Sequence, residues 1–225
     1  MNLDVHITAD GHVVVIHDPI VDRTTNGTGA VQEMTLAEVW RLDAGYRFTS
    51  DGGRTYPYRG EGVRIPTMEE VYREFTDVPI NVEIKGKRPG IEEAVWRIIE
   101  GAGAEDRNLV VSEKTAVIRR FREVSDGRVA TASSAEERSR FYVLSLLRLS
   151  RLLRPPYHAL QGPEFYRGLR VVTPGFVQAA HELGLQVNVW TIDAEPNMCR
   201  LLGFGVDSII TDRPGLLAEL LSGGQ

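Results

Sequence analysis

The 225-residue chain has a single cysteine, Cys199. One thiol excludes an internal disulfide framework and any metal site assembled from several cysteines. No apolar run reaches the roughly 18 residues of a spanning helix, and no secretory signal peptide is visible. Basic residues are in deficit: 26 Lys and Arg stand against 31 Asp and Glu, a net charge of −5. A mildly acidic chain is poorly suited to non-specific nucleic-acid binding, which rests on neutralising phosphates, and no nucleic-acid partner is expected. Apolar content is not lacking. At 42% apolar and 25% charged residues, the chain can bury a sizeable core, which excludes global disorder.

Short β-branched runs alternate with amphipathic stretches along the whole sequence. The pattern predicts strands at Leu3–Thr8, Val13–His17, Ile80–Lys85, Asn108–Ser112, Arg128–Ala132, His158–Gln161, Gln186–Thr191 and Asp207–Thr211. Helices are expected near 35–43, 67–76, 90–103, 113–125, 134–154, 174–184, 195–204 and 214–222. Thr35 with Glu38 and Thr67 with Glu70 have capping-box spacing, and Gly184 suits a helix end. Such alternation implies a parallel sheet flanked by helices, and the length allows one domain spanning residues 1–225 or two small ones. Only the first two strands lack room for a helix between them. Asp10-Gly11 between alternating runs predicts a two-residue hairpin loop. Ala9 would then pair with His12, and Asp4 would face His17 across the strands.

Several strands end on polar residues. Glu83 and Lys85 alternate with Val82 and Ile84, so they share one face of their strand. On a barrel's inner face they must be paired, metal-bound or functional. His17-Asp18, Trp190-Thr191-Ile192-Asp193 and Thr211-Asp212 are further polar exits, as expected of an active-site rim in an α/β barrel. Counting the hairpin as one barrel strand leaves seven parallel strands, one fewer than the common closed solution.

Taken together, seven segments resemble the glycerophosphodiester phosphodiesterase family in order: Leu3–Gly11, Val14–Asp18, Asp22–Gly27, Arg64–Thr67, Val82–Lys85, Trp190-Thr191 and Ile210–Pro214. The resemblance covers nearly the whole chain. It implies a (β/α)8 TIM-type barrel that hydrolyses glycerophosphodiesters to an alcohol and glycerol 3-phosphate with a divalent cation, Mg2+ or Ca2+. By position it makes Asp4 and Glu83 metal ligands, His17 a catalytic histidine, Lys85 a phosphate contact and Trp190 a pocket aromatic. The residue types suit these tasks. Carboxylate oxygens bind hard cations, imidazole moves protons near neutrality, and lysine meets phosphate as a point charge.

The resemblance also has gaps. The family's opening strand, which ends His-Arg-Gly, and the helix after it are not matched. Asn2 stands where the family has a third metal-binding carboxylate. Either a first β/α unit precedes Met1, or the chain is a degenerate member. The first is favoured, because without that unit the strands of residues 3–8 and 207–211 would expose barrel edges. Two other readings accompany the first: phospholipase D-like hydrolysis of lysophospholipids through the same site, or an inactive barrel that binds a phosphodiester or a partner.

Residues 141–153 read as part of a leucine-rich helix, with Arg148, Arg151 and Arg154 at i, i+3 spacing. The pattern suits an outer barrel helix and, alternatively, peripheral contact with a membrane or a lipid-tailed substrate. The expected location is cytoplasmic, with membrane association as the alternative; oligomeric state is not legible. Cys199 reads as a buried thiol. His6 shares Asp4's face, His158 and His181 read as surface or rim residues, and Asp193 and Asp212 read as helix caps.

Overall fold

The computed structural model describes residues 1–86 and 88–222. The chain divides into two compact units: residues 1–112 with 116–130, and residues 113–115 with everything from Thr131 onward.

The first unit is built on β1 (Asn2–Ile7), β2 (Val13–Val15), β3 (Ile80–Ile84), β4 (Asn108–Val111) and β5 (Ala130–Thr131), in the order β2-β1-β3-β4-β5. At β5 the chain passes into the second unit. Two-residue periodicity sorts the side chains. Leu3, Val5 and Ile7 of β1 and Ile80, Val82 and Ile84 of β3 project to one side. There they pack with Met68, Val71 and Tyr72 of α2 (Met68–Glu74), Ile91, Val95 and Ile99 of α3 (Ile91–Gly101) and Ile118 and Phe121 of α4 (Thr115–Val124). Burial of each such side chain stabilises the fold by about 1.5–3 kcal/mol. The alternate positions, Asn2, Asp4 and His6 with Asn81, Glu83 and Lys85, are left to the other face of the sheet.

The segment between β2 and α2 has its own small core. Val14 and Ile16 pack with Val21, Val31, Ile65 and, from α1 (Leu36–Val39), Leu36 and Val39. The expected capping boxes are both present: the Thr35 hydroxyl accepts from the Glu38 amide, the Thr67 hydroxyl from the Glu70 amide, and each glutamate returns the bond.

The β1–β2 hairpin differs from the expected register by one residue. Val5 faces Val15, His6 faces Val14 and Ile7 faces Val13. Thr8 therefore pairs with His12, its amide donating to the His12 carbonyl at 2.9 Å. The loop has three residues, Ala9-Asp10-Gly11, with Gly11 at φ +90°. Asp10 explains the longer loop. Its carboxylate accepts from the Thr8 hydroxyl at 2.7 Å and from the Leu36 amide at 3.0 and 3.2 Å, which ties the loop to the start of α1. Asp4 consequently lies opposite Ile16, whose amide donates to the Asp4 carbonyl at 2.9 Å, and not opposite His17. The hairpin also settles the edge question for residues 3–8. β2 lies along one side of β1 and β3 along the other, so β1 is an interior strand.

In the second unit, β6 (Ala159–Pro163), β9 (Gln186–Trp190) and β10 (Ser208–Ile209) form a sheet of order β10-β9-β6, with parallel ladders. Leu160, Val187 and Val189 pack with Phe141 of α5 (Ala135–Leu146), Phe176, Val177 and Ala180 of α6 (Pro174–His181) and Met198 and Leu201 of α7 (Glu195–Gly203). α8 (Pro214–Ser222) follows β10. A small hairpin of β7 (Phe165–Tyr166) and β8 (Leu169–Arg170), not expected from sequence, turns through Arg167 at φ +49° and Gly168 at φ +80°. β1, β3, β4, β5, β6, β9 and β10 are the seven strands that alternate with helices. Among the described residues their ladders do not join into a closed ring.

Three further expectations are corrected here. The helix predicted over 134–154 stops at Leu146: Arg148 takes a left-handed φ of +57°, and a separate 3-10 turn covers Ser150–Leu152, so the three arginines do not form a helical stripe. Cys199 is exposed, because the buried face of α7 carries Met198 and Leu201. Asp193 does not cap α7. It accepts from the Thr211 hydroxyl and the Asp212 amide, both at 2.9 Å, and so braces the turn before α8.

Candidate active site

Parallel pairing of β1 with β3 gathers charged and amide side chains on one face of the first unit's sheet. Asn2 faces Asn81 and Asp4 faces Glu83 across the ladder. The ladder continues one step beyond β3, where the Lys85 amide donates to the Val5 carbonyl at 3.2 Å, keeping Lys85 on the face of Glu83. The Lys85 ammonium lies 3.1 Å from Glu83 Oε2 and 3.4 Å from Asp4 Oδ1. All three side chains are mostly shielded, at 17%, 15% and 27% exposure for Asp4, Glu83 and Lys85. Burial pulls the Lys85 ammonium down, but Glu83 and then Asp4 outweigh it and hold the group above its usual value. At neutral pH Lys85 is a fixed positive charge between two carboxylates.

Asn2 stands at the outer end of this face, where its Oδ1 accepts from Asn81 Nδ2 at 2.6 Å. Asp4, Glu83 and Asn2 thus offer two carboxylates and one neutral amide oxygen. This hard-oxygen set suits Mg2+ or Ca2+ in kind, with fewer charges than a strong site has. Among the described residues, no three His, Cys, Asp or Glu side chains converge as a metal group. A cation held here would share the carboxylates with Lys85.

His17 follows the end of β2, and its side chain is 61% exposed. Its Nδ1 lies 2.7 Å from Asp18 Oδ1, and Arg23 closes on the same carboxylate, Nε to Oδ2 at 2.5 Å and Nη2 to Oδ1 at 3.2 Å. The Arg23 bond, then the His17 bond, depresses the Asp18 carboxyl to about 2. An ionised Asp18 favours the tautomer with hydrogen on Nδ1, which leaves Nε2 free to take or give a proton. Asp18 and Arg23 were not singled out as positioning residues. The available signal was an acid directly after the histidine, with an arginine five positions on. His6 is buried, and its Nε2 lies 3.2 Å from the His17 carbonyl, so it supports the backbone at this exit.

The structure brings Asn2, Asp4, Glu83 and Lys85 onto one face. Trp190 belongs to the second unit, at the end of β9, where it faces Pro163 across the ladder and is partly buried. Two positions before it, Asn188 faces Gln161. These side chains are 6% and 2% exposed, and their amide oxygens have no hydrogen-bond partner among the described residues. The sequence reading passed over both, because single amides within apolar runs carry no motif. His158 and His181 are exposed, and His181 pairs with Asp207 at 2.9 Å.

The family model for the glycerophosphoryl diester phosphodiesterase family matches residues 1–216. A glycerophosphodiester phosphodiesterase of Caldanaerobacter subterraneus subsp. tengcongensis is 33% identical over 235 residues, covering 100% of this chain and 86% of that protein. Among solved structures, the glycerophosphoryl diester phosphodiesterase domain of a Mycobacterium tuberculosis protein aligns with a TM-score of 0.84 at 21% identity, over 99% of this chain and 87% of that one. An Oleispira antarctica phosphodiesterase in complex with the product sn-glycerol-3-phosphate aligns with a TM-score of 0.72 at 22% identity, over 98% and 84%. The structural likeness shows the fold, a TIM-type α/β barrel. A family match that runs through both units, together with a relative one-third identical over the whole chain, assigns this protein to the glycerophosphoryl diester phosphodiesterase family.

Proposed function

We propose that this chain hydrolyses glycerophosphodiesters to an alcohol and glycerol 3-phosphate, and that Asp4, Glu83, Lys85 and His17 carry the reaction. The observation that supports this most is the register of β1 on β3. It sets two carboxylates side by side with a lysine across them, in a chain of this family. Such a cluster is costly to maintain on a sheet face unless it serves binding or chemistry.

In this reading Asp4 and Glu83 hold a divalent cation, Mg2+ or Ca2+, with the Asn2 amide oxygen as a neutral third donor. Bound there, such a cation would neutralise phosphate charge and ease formation of an oxygen nucleophile. The Lys85 ammonium turns from the carboxylates toward a phosphate oxygen as a point charge. His17, held at Nδ1 by Asp18, acts with its ring protonated: Nε2 gives its proton to the leaving alcohol oxygen as that oxygen's bond to phosphorus breaks and a water oxygen bonds phosphorus in its place, and the proton lost by the water restores Nε2, so that the alcohol departs neutral. Asp18 stays ionised throughout and fixes the ring's orientation.

The test is direct. The purified chain is incubated with glycerophosphocholine and glycerophosphoethanolamine in Mg2+ or Ca2+, and released glycerol 3-phosphate is measured. Release that EDTA stops and either cation restores is expected. Absence of glycerol 3-phosphate with both cations would overturn the reading and favour a barrel that binds phosphodiesters without turning them over.

A further inference from the structure

We propose that residues 143–154 form a docking surface for anionic membrane, in which exposed leucines enter the lipid interface and the arginines between them meet headgroup phosphates. α5 ends abruptly at Leu146. The Leu149 amide returns to the Leu144 carbonyl at 2.8 Å, and Arg148 takes the left-handed conformation that lets the chain turn. The turn throws leucines outward. Leu146 is 65% exposed, Leu147 61%, Leu149 44% and Leu152 75%, while Ser150 between them is buried and anchors the loop. Four exposed leucines within seven residues differ from the scattered apolar side chains normal on a surface.

The charge around them selects the occupant. From Arg138 to Pro163 the chain has five arginines and no acidic residue, although its net charge is −5. Arg148 and Arg154 are exposed and have no ion pair among the described residues; Arg151 is shared with Glu182 at 3.0 Å. Beside the leucines, Arg148, Arg151 and Arg170 line one groove with Tyr142, Phe176 and Glu182, of about 590 Å³; Glu182 pairs with Arg151 and Glu164 with Arg170, which leaves Arg148 as the guanidinium there without an ion pair among the described residues. Guanidinium groups next to an aromatic-lined groove suit a phosphate headgroup. A second copy fits less well. A two-fold contact through this patch would set arginine against arginine. An anionic lipid surface offers the opposite charge, and its interface accepts the leucines.

Vesicle sedimentation with the full chain tests this. Vesicles of phosphatidylcholine with 30% phosphatidylglycerol should retain the protein, and pure phosphatidylcholine vesicles should not. Leu147→Glu with Leu152→Glu should weaken retention at least about tenfold. Arg148→Gln with Arg154→Gln should weaken it by about fivefold per arginine removed. Unchanged thermal unfolding would show that the exposed substitutions leave the fold intact. No retention on the anionic vesicles, or equal retention of all variants, overturns the proposal. A concentration-dependent dimer in sedimentation velocity that Leu147→Glu with Leu152→Glu abolishes, without vesicle binding, overturns it in favour of a second copy.

Discussion

Asp4 and Glu83 stand opposite one another in the parallel ladder of β1 and β3, and one ammonium, that of Lys85, lies within 3.4 Å of both. The pairing joins residues 79 positions apart, so it is a product of the fold and not of local sequence. Glu83→Gln keeps the size of the side chain and removes its charge, leaving Asp4 as the one carboxylate for a cation. Charge stabilisation by a bound metal is worth several kcal/mol, so turnover of glycerophosphocholine should fall at least about a hundredfold at limiting cation. Steady-state kinetics across a Mg2+ or Ca2+ titration would measure this, and full activity in the variant would rule Glu83 out as a ligand.

Lys85→Met should act differently. It leaves two neighbouring carboxylates without their shared counter-charge, which costs stability through like-charge repulsion. Lys85 is partly exposed, so solvent screening holds that cost to roughly 1 kcal/mol. A divalent cation replaces the missing charge, so Ca2+ should raise the melting temperature of the variant more than that of the wild type. The pH sense follows from the raised folded value of Lys85. Its contribution is complete below the ordinary lysine value near 10.5 and fades as pH rises through the higher folded value. Calorimetry with and without Ca2+, from pH 7 to 11, should show the wild type losing this stability only in the alkaline arm, and the variant lacking that arm.

Asp18 gives the opposite sign. Its folded value, about 2, lies below the ordinary 3.8 because Arg23 and then His17 bond its ionised form. The associated stability is present above pH 3.8 and is lost as pH falls toward 2. Arg23→Ala removes the larger of the two causes. NMR titration of the Asp18 carboxyl carbon should then show the midpoint moving up from about 2, and the His17 ring losing its fixed orientation. Turnover should fall with it, by about tenfold or more, since a misplaced base transfers protons poorly. An unmoved Asp18 midpoint would show that Arg23 does not hold the carboxylate in solution.

The alternation of β and α elements, the faces of β1 and β3 and both expected capping boxes were legible because each depends on local periodicity or on a fixed three-residue spacing. The grouping of Glu83 with Lys85 was legible for the same reason. The approach of Asp4 to that pair was supplied only by the family resemblance, since strand pairing across 79 residues leaves no mark on either segment. The hairpin register was missed because an Asp-Gly pair is compatible with loops of two or three residues. The deciding contact, Asp10 to the Leu36 amide, comes from 26 positions away. The end of α5 was missed because nothing in Leu146-Leu147-Arg148-Leu149 forbids a helix, and the left-handed turn at Arg148 falls on a residue that seldom adopts it.

That hairpin supplies its own test. A Cβ at Gly11 would meet nothing within 4 Å, so Gly11→Ala introduces no clash and only the strain of φ +90°. The cost should be about 1–2 kcal/mol. Asp10→Ala removes the acceptor of two donors at once, the Thr8 hydroxyl and the Leu36 amide, and should cost more, at about 1–3 kcal/mol for donors left partly buried. If the loop instead had two residues, with Asp10 and Gly11 both in turn positions, the Gly11 substitution would be the more damaging. Denaturant unfolding of the two variants decides the order.

Asn2 offers the final test, because it concerns a gain. It alternates with Asp4 along β1 and so shares the face of Asp4 and Glu83, and its Oδ1 accepts from Asn81 Nδ2 at 2.6 Å. The side chain lies on an exposed residue at the start of β1, so a charge there carries little desolvation cost. Asn2→Asp preserves length and an acceptor for Asn81 while adding a third carboxylate beside Asp4 and Glu83. If these residues hold a hard cation, its affinity should rise by about tenfold or more, since ligand charge count is a main determinant of Ca2+ affinity. Isothermal titration calorimetry with Ca2+ and Mg2+ reads this directly, independent of turnover. Like-charge crowding predicts the reverse in the absence of metal: the apo variant should melt below the wild type, and saturating Ca2+ should more than restore the difference. A variant with unchanged cation affinity and unchanged melting would show that no metal sits against this face, and the assignment of Asp4 and Glu83 as ligands would fall with it.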